Sequence, residues 1–377
     1  VSVSISGDRA IVGASGEDAG GAETGAAYLY ERDGSGVWQE VQKLVASDAQ
    51  VGDGSGLSVS LSGDRAIVGK PGADTAGVNA GAAYVYERSA SGIWQEVQKL
   101  VASDAQSYDA FGQSVSLSGN RAIVGAMWED AGGSQAGAAY VYERDGLGVW
   151  HEVQKLLASD AQADDRFGNS VSISGDRAVV GAYLESAGGS QAGAAYVFER
   201  DGGGVWQEVQ KLVASNPQPD VLFGIAVSLS GDRAIVCSQE DVAGVRAAGA
   251  AYVYERDDGG VWQEVQKLVA SDEQLGDQFG ISVSVSGDSA IIGAFGVDDG
   301  GNDAGAAYIF DLAPSVTTFQ SFAGCDSVWF DGEWHATTVL LIDSLTTSVG
   351  GFDSTVITTI RVDTPISLYA ATKKADE

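Results

Sequence analysis

Cysteine, histidine and basic side chains are all scarce in this sequence, and each shortage closes a class of function. Two cysteines in 377 residues exclude a disulfide-stapled scaffold and a Cys-based zinc site. Two histidines, His151 and His335, leave little material for imidazole-centred catalysis or metal binding. Only 21 Lys and Arg stand against 52 Asp and Glu, a formal charge of −31. That balance excludes nucleic acid as a partner, because phosphate binding needs a surplus of cations. No run approaches ~18 consecutive apolar residues, so no segment reads as a membrane-crossing helix. What is present is apolar material, 44% of residues with 8% aromatic. This is too much for a disordered chain and enough for the core of one large domain or two ordinary ones. The residues after Val1 already read as strand interior, so the chain reads as a processed or truncated product.

A repeat dominates the chain. Trp38, Trp94, Trp150, Trp206 and Trp262 recur at a step of 56 residues, each opening a WQEVQKL-like phrase. An SGDRAIVGA-like phrase and a GAAYVYER-like phrase keep the same step from residue 1 to about 310. Each copy holds four strand-like pieces. The run from Ser114 to Ser118 alternates apolar and small polar residues at period two, and the run from Arg121 to Ala126 is continuously apolar. The run from Ala139 to Arg144 mixes aromatic and β-branched residues, and the run from Val149 to Leu156 is charged enough for a sheet edge. Turn signals separate them, and no helical period is sustained. Four antiparallel strands per repeat predict an all-β chain, a β-propeller of six 56-residue repeats over 1–312.

The phrase Phe111-Gly112 leading into SVSLSG and then Ile123-Val-Gly-Ala126 resembles the FG-GAP repeat of integrin-type propellers and bacterial extracellular proteins. Phe167-Gly168, Phe223-Gly224 and Phe279-Gly280 match equally, and the VQKLVASD element is most similar to the bacterial secreted subclass. The second copy departs with Ser55-Gly56, and the DxDxDG calcium loop of the integrin type is absent from the SGDR turn. The resemblance implies an extracellular or cell-surface, secreted protein of the cell-adhesion kind. Propellers of this family usually close with seven blades, so six and seven both remain open. In register, a sixth outer strand would fall at Thr318.

Composition changes after Pro314, where threonine replaces glycine. Residues 313–377 read as a small Thr-rich β-module or a ring-closing segment. The phrase Gly324-Cys-Asp-Ser327 and its echo Gly351-Phe-Asp-Ser354 are similar to short β-rich modules in surface proteins of Bacteroidetes-type bacteria.

Three sets of residues are candidate sites. Paired acids five apart precede Phe-Gly: Asp48 and Asp53, Asp104 and Asp109, Asp160 and Asp165, Asp272 and Asp277. Such pairs suit a hard cation, and Ca2+ is the candidate ion; the alternative is turn capping by Asp48 and its equivalents. The fourth copy breaks the pattern with Asn216 and Val221. The loop after the GA element varies most among copies. It offers Glu17, Asp18, Glu129, Asp130, Glu240, Asp241, Asp298 and Asp299, with aromatics Trp128, Tyr183 and Phe295. Variable loops on a constant scaffold are where binding resides. The repeated Trp suits either sugar stacking, one site per blade, or packing between strands. Packing is the better reading, since the rest of that strand repeats as faithfully. Cys237 and Cys325 read as unpaired thiols.

With no acid/base pair or nucleophile constellation, the expectation is a non-enzymatic extracellular binding or adhesion module. Its partner would be a glycan or protein, bound through propeller loops. A structural subunit that self-associates by strand exchange through the tail, and a multivalent propeller lectin, are the alternatives.

Overall fold

In a computed structural model, residues 2–18, 21–186, 188–215, 217–239, 248–298 and 304–312 are described, with the backbone of six strands between 316 and 374. The period-two run becomes strand Ser114–Ser118. It sets Val115 and Leu117 on one face, 8% and 6% exposed, with serines on the other. The apolar run becomes Arg121–Ala126, buried on both faces after its first residue. Ala138–Arg144 and Trp150–Leu156 follow, and in the last only Trp150 and Leu156 are buried. The four pair antiparallel in chain order, Arg121 opposite Ser118, Gly125 opposite Ala139 and Arg144 opposite Trp150. A bulge between Val141 and Tyr142 recurs at the same place in the other complete sheets and adds local twist.

Five sheets of this kind span 2–44, 59–100, 114–156, 167–212 and 226–268, and a sixth of three strands spans 279–311. No helix occurs among the described residues, and none is long and apolar enough to cross a membrane. These are the six blades of a β-propeller. The chain separates into two compact units, one of 1–287 with 291–308 and one of 288–290 with 309–377. In the second, Val316–Ser321 pairs with Leu340–Leu345, which pairs with Thr355–Val362 and then Ser367–Lys374, beside a hairpin of Ser327–Phe330 and Glu333–Ala336. The strand around Thr318 therefore pairs in this sheet rather than as the fourth strand of blade six.

The core lies between blades. Blade two contributes Ile67, Ala83, Val85 and Leu100, and blade three answers with Val115, Leu117, Tyr140, Tyr142 and Trp150. The next two junctions repeat that set. Polar ladders accompany the apolar contact. Ser60 Oγ accepts from the Leu117 N–H and Ser62 Oγ from Gly119, each at 3.0 Å. The Gln98 amide donates to the Trp150 carbonyl and accepts from its N–H, at 2.7 and 2.8 Å. Trp94, Trp150, Trp206 and Trp262 are 2% exposed, so these indoles are packed and offer no face to a sugar.

Junctions are tight enough to exclude a Cβ. One built on Gly125 would lie 2.0 Å from the Gly168 carbonyl oxygen, and one on Gly181 would lie 2.0 Å from that of Gly224. At the next step the chain carries Cys237, and the spacing changes. A Cβ on Gly224 would come within 2.2 Å of the Ala194 oxygen, but one on Gly280 only within 3.0 Å of the Ala250 oxygen. The Cys237 Cβ lies against Gly280, and the spacing there is locally wider. The Cys237 thiol is free and buried, and burial pushes its pKa up.

Candidate functional site

The meander gives the propeller two ends of different chemistry. In blade three, the variable loop 127–137 and the Asp loop 157–166 lie at one end of the strands. The turns at 118–121 and 145–149 lie at the other. At the turn end, charged groups pair along the ring. Arg88 binds Glu31, Arg144 binds Glu87, Arg200 binds Glu143 and Arg256 binds Glu199, at 2.6–2.7 Å between consecutive blades. Shallow grooves of about 410 and 470 Å3 there are lined by the same Arg and Glu groups. These four pairs answer one another across consecutive blades, which leaves little of them for a ligand.

The loop end is built by two loops from successive repeats. The N–H groups of Tyr108, Ala110 and Phe111 donate to the carbonyls of Val78, Asn79 and Ala80, and Asp164 N–H donates to Ser134. This docking holds Tyr108, Ala110, Asp164, Arg166, Asp220 and Leu222 at φ of 55–74°, a backbone region disfavoured for side-chain-bearing residues by ~1–2 kcal/mol each. Such strain persists where surrounding contacts over-determine it, and it concentrates at functional loops.

Beneath the loops lies a lysine-centred acidic cluster. Lys155 Nζ contacts Asp104 and Glu129 at 2.7 Å each and sits 5.3 Å from the Tyr140 ring. Tyr140 donates its hydroxyl to Asp104 at 2.8 Å. Blade four repeats this with Lys211 between Asp160 and Glu185, at 2.7 and 3.0 Å. Blade two has Ala73 where Glu129 would fall, and a fully buried Lys70 enters instead, 2.6 Å from Asp53 and 3.2 Å from Asp48. In blade one, Lys43 and the Tyr28 hydroxyl meet on Glu17. Burial alone would raise the Asp104 and Asp160 carboxyls, but the hydrogen bonds from lysine and tyrosine outweigh it and hold them below the usual range. Asp109 and Asp165 go the other way, raised by burial despite the backbone N–H groups they accept.

The paired aspartates thus divide. Asp48, Asp104 and Asp160 face lysine, and Asp272 accepts from the Tyr308 hydroxyl at 2.7 Å. Asp53, Asp109, Asp165 and Asp277 are buried and accept from the N–H of Gln50, Gln106, Gln162 and Gln274. A calcium shell needs about six to eight oxygens. As arranged, the first acid of each of three pairs faces an ammonium instead, and no group of three metal-ligating side chains occurs among the described residues.

The variable-loop residues divide as well. Glu129 is 2% exposed and turned inward on Lys155, and Glu17 is similarly engaged. Asp18 and Asp130 accept from the N–H of Glu23 and Gln135, closing the loop on itself. Tyr183 is half-buried, Phe295 and Asp298 are exposed, and Glu240, Asp241 and Asp299, like Asn216 and Cys325, lie outside the described residues. Trp128 stays at the surface, with the Arg166 guanidinium 3.7 Å over its ring. The Trp128 backbone N–H donates to the Asp109 carbonyl, next to Tyr108, which is 63% exposed. Nη1 of Arg166 is buried without a partner among the described residues. Tyr108, Arg166, Lys70, Glu185 and the lysines at 99, 155 and 211 were not foreseen. The 56-residue step from Glu129 to Glu185 carried that signal for one of them.

The family model described as FG-GAP repeat matches residues 1–30, 38–86, 94–142, 150–198, 206–254 and 262–310. From the second match onward, each begins on an outer strand and ends on the third strand of the next sheet, so the sequence unit is out of phase with the blade. None of the curated proteins compared matches the chain.

Proposed function

The chain belongs to the FG-GAP repeat family, whose propeller is generally a binding fold, and from that premise we propose a non-enzymatic extracellular adhesion module that reads a glycan or protein with its loop end. The observation that carries this is the surface pair of Tyr108 and Trp128, with the largely buried Arg166 guanidinium stacked on the indole, contributed by three successive loops over a lysine-tied base. An indole bearing a stacked guanidinium can take a planar or sugar face beside a hydrogen-bond donor. At the turn end, by contrast, the Arg and Glu groups of consecutive blades are paired with one another.

The test is a glycan and matrix-protein binding screen with purified chain, run with and without calcium. Tyr108→Ser with Trp128→Ser is expected to weaken any hit at least tenfold, while Leu147→Ser, on the turn end, leaves it unchanged. No hit under either condition, or hits indifferent to the loop-end variant, would sink the reading. Calcium enters only as an ion ordering the Asp loops, and a calcium-dependent rise in melting temperature, abolished by Asp104→Asn, is the result that would support it.

A further inference from the structure

Lys70 departs from the repeat. The lysines at 43, 99, 155 and 211 stand on outer strands, but Lys70 ends the second strand of blade two, Arg65–Lys70. At the equivalent positions the chain carries Ala14, Ala126, Ala182, Ser238 and Ala294, none of which bears an amine. The Lys70 side chain is 2% exposed, and that of Asp53, which its Nζ meets at 2.6 Å, is 5% exposed. The Asp48 carboxylate and the Asp48 carbonyl each lie 3.2 Å from the same nitrogen. The Tyr84 ring centroid is 5.3 Å away. Asp48 is more open and is also held by Lys99 at 2.6 Å and by the Tyr84 hydroxyl at 2.5 Å.

A buried amine in contact with a buried carboxyl, with a second carboxylate on the same nitrogen, is an arrangement suited to amide formation. Two desolvated charges are costly to keep, and an amide replaces them with a neutral group. Holding the partners together turns a bimolecular condensation into an intramolecular one, for which effective molarities reach about 10⁵–10⁸ M. With Nζ already against Oδ2 of Asp53, the carboxyl carbon lies close to the ~3–3.5 Å of a near-attack arrangement. The Gln50 N–H donates to that same Oδ2 at 2.5 Å. There it meets the negative charge that grows on the oxygen as the carbon becomes tetrahedral. Burial of both groups keeps out the bulk water that would favour hydrolysis.

We propose that Lys70 and Asp53 join in an intramolecular isopeptide bond, with Asp48 as the proton relay. The Nζ electron pair forms the bond to Asp53 Cγ, and the bond from Cγ to Oδ1 breaks with its pair leaving on oxygen. The ammonium loses two protons, one of them by way of Asp48, and both depart on that oxygen as water. Ammonium and carboxylate supply every atom of amide and water, so no oxidant, reductant or co-reactant is required. Asp53 lies in the connection between Trp38–Leu44 and Val59–Ser62, so the bond ties the link between blades one and two to the second strand of blade two. Tyr108, Trp128 and Arg166 take no part, and failure of ligand binding leaves the proposal standing.

Intact-mass spectrometry of the purified full chain under denaturing conditions, followed by trypsin digestion, is the test. The wild type is expected to be lighter than its sequence by one water. Trypsin cuts after Lys43, Arg65 and Arg88 but not between Lys70 and Pro71. Peptides 44–65 and 66–88 are therefore expected as a single branched species. Lys70→Arg and Asp53→Ala are each expected at full sequence mass with the two peptides separate. Asp48→Asn is expected to form the link at least tenfold more slowly after refolding, with circular dichroism checking that the fold is regained. A wild-type chain that keeps its full mass after prolonged incubation overturns the proposal, whether or not any variant folds. So does a water loss with the two peptides separate, which marks a succinimide at Asp53–Gly54, and so does a link mapped to Lys99 and Asp48. An Asp48→Asn chain that links as fast as the wild type overturns the role given to Asp48.

Discussion

Trp150 shows how a repeated aromatic is employed. Its ring is 2% exposed between blades two and three, and its indole N–H has no partner among the described residues. The ring therefore contributes packing, and the buried N–H, unpaired among the described residues, adds no stabilising hydrogen bond. Trp150→Ala is expected to destabilise by ~3–5 kcal/mol and Trp150→Phe by only about 1–2 kcal/mol, the residual cavity alone. Urea unfolding of the two variants checks this, and equal losses would show that the N–H is engaged after all. That Trp packs rather than binds was legible in the sequence, because its whole strand repeats with it. The inward turn of Glu129 was not. Lys155, Asp104 and Glu129 come from an outer strand and two different loops, and no spacing along the chain reports that they converge.

At the scale of the strand, the glycine in RAIVGA is the informative position. Gly125 needs no special backbone conformation, yet a Cβ there would strike the Gly168 carbonyl of the next blade. Gly125→Ala is expected to destabilise by ~1–3 kcal/mol as an overpacking change, read from the denaturation midpoint. Cys237 shows how the fold accommodates a side chain at this place, by opening the spacing at Gly280 from the 2.2 Å seen at Gly224 to 3.0 Å. A Gly125→Ala variant as stable as wild type would mean that junctions slide freely. Period and turn chemistry were enough to place these strands. Which glycine faces a neighbouring carbonyl depends on how two sheets meet, and that is absent from the pattern within one.

For the whole molecule, the third strands carry a ring of buried tyrosines whose titration is coupled to folding. Burial, reinforced by neighbouring carboxylates, raises the pKa of Tyr84, Tyr86, Tyr140, Tyr142, Tyr196 and Tyr254 well above the ordinary value. The unfolded chain ionises near pH ~10, while the folded chain holds these phenols neutral. Stability is therefore intact below that pH and falls as pH rises past it. Ultraviolet titration is expected to show these phenolates emerging only with the loss of β-structure on circular dichroism. Phenolate absorbance that rises while the fold persists would contradict it. The acidity behaves as a property of the repeat. At the turn end Glu is answered by Arg, and under the loops Asp is answered by Lys.

The sequence by itself determined the all-β class, the four-strand repeat, the six-fold recurrence and the propeller, because periodicity, turn residues and a 56-residue step are properties of the chain read in order. Tertiary structure alone decided which acids turn inward on lysine and which aromatics remain at the surface. The reason is visible in pairs of equivalent residues. Val3 and Val59 occupy the same place in the repeat, as do Trp38 and Trp94, yet they are 70% against 5% and 39% against 2% exposed. The side chain is the same in each pair, and the difference is whether another blade lies against it.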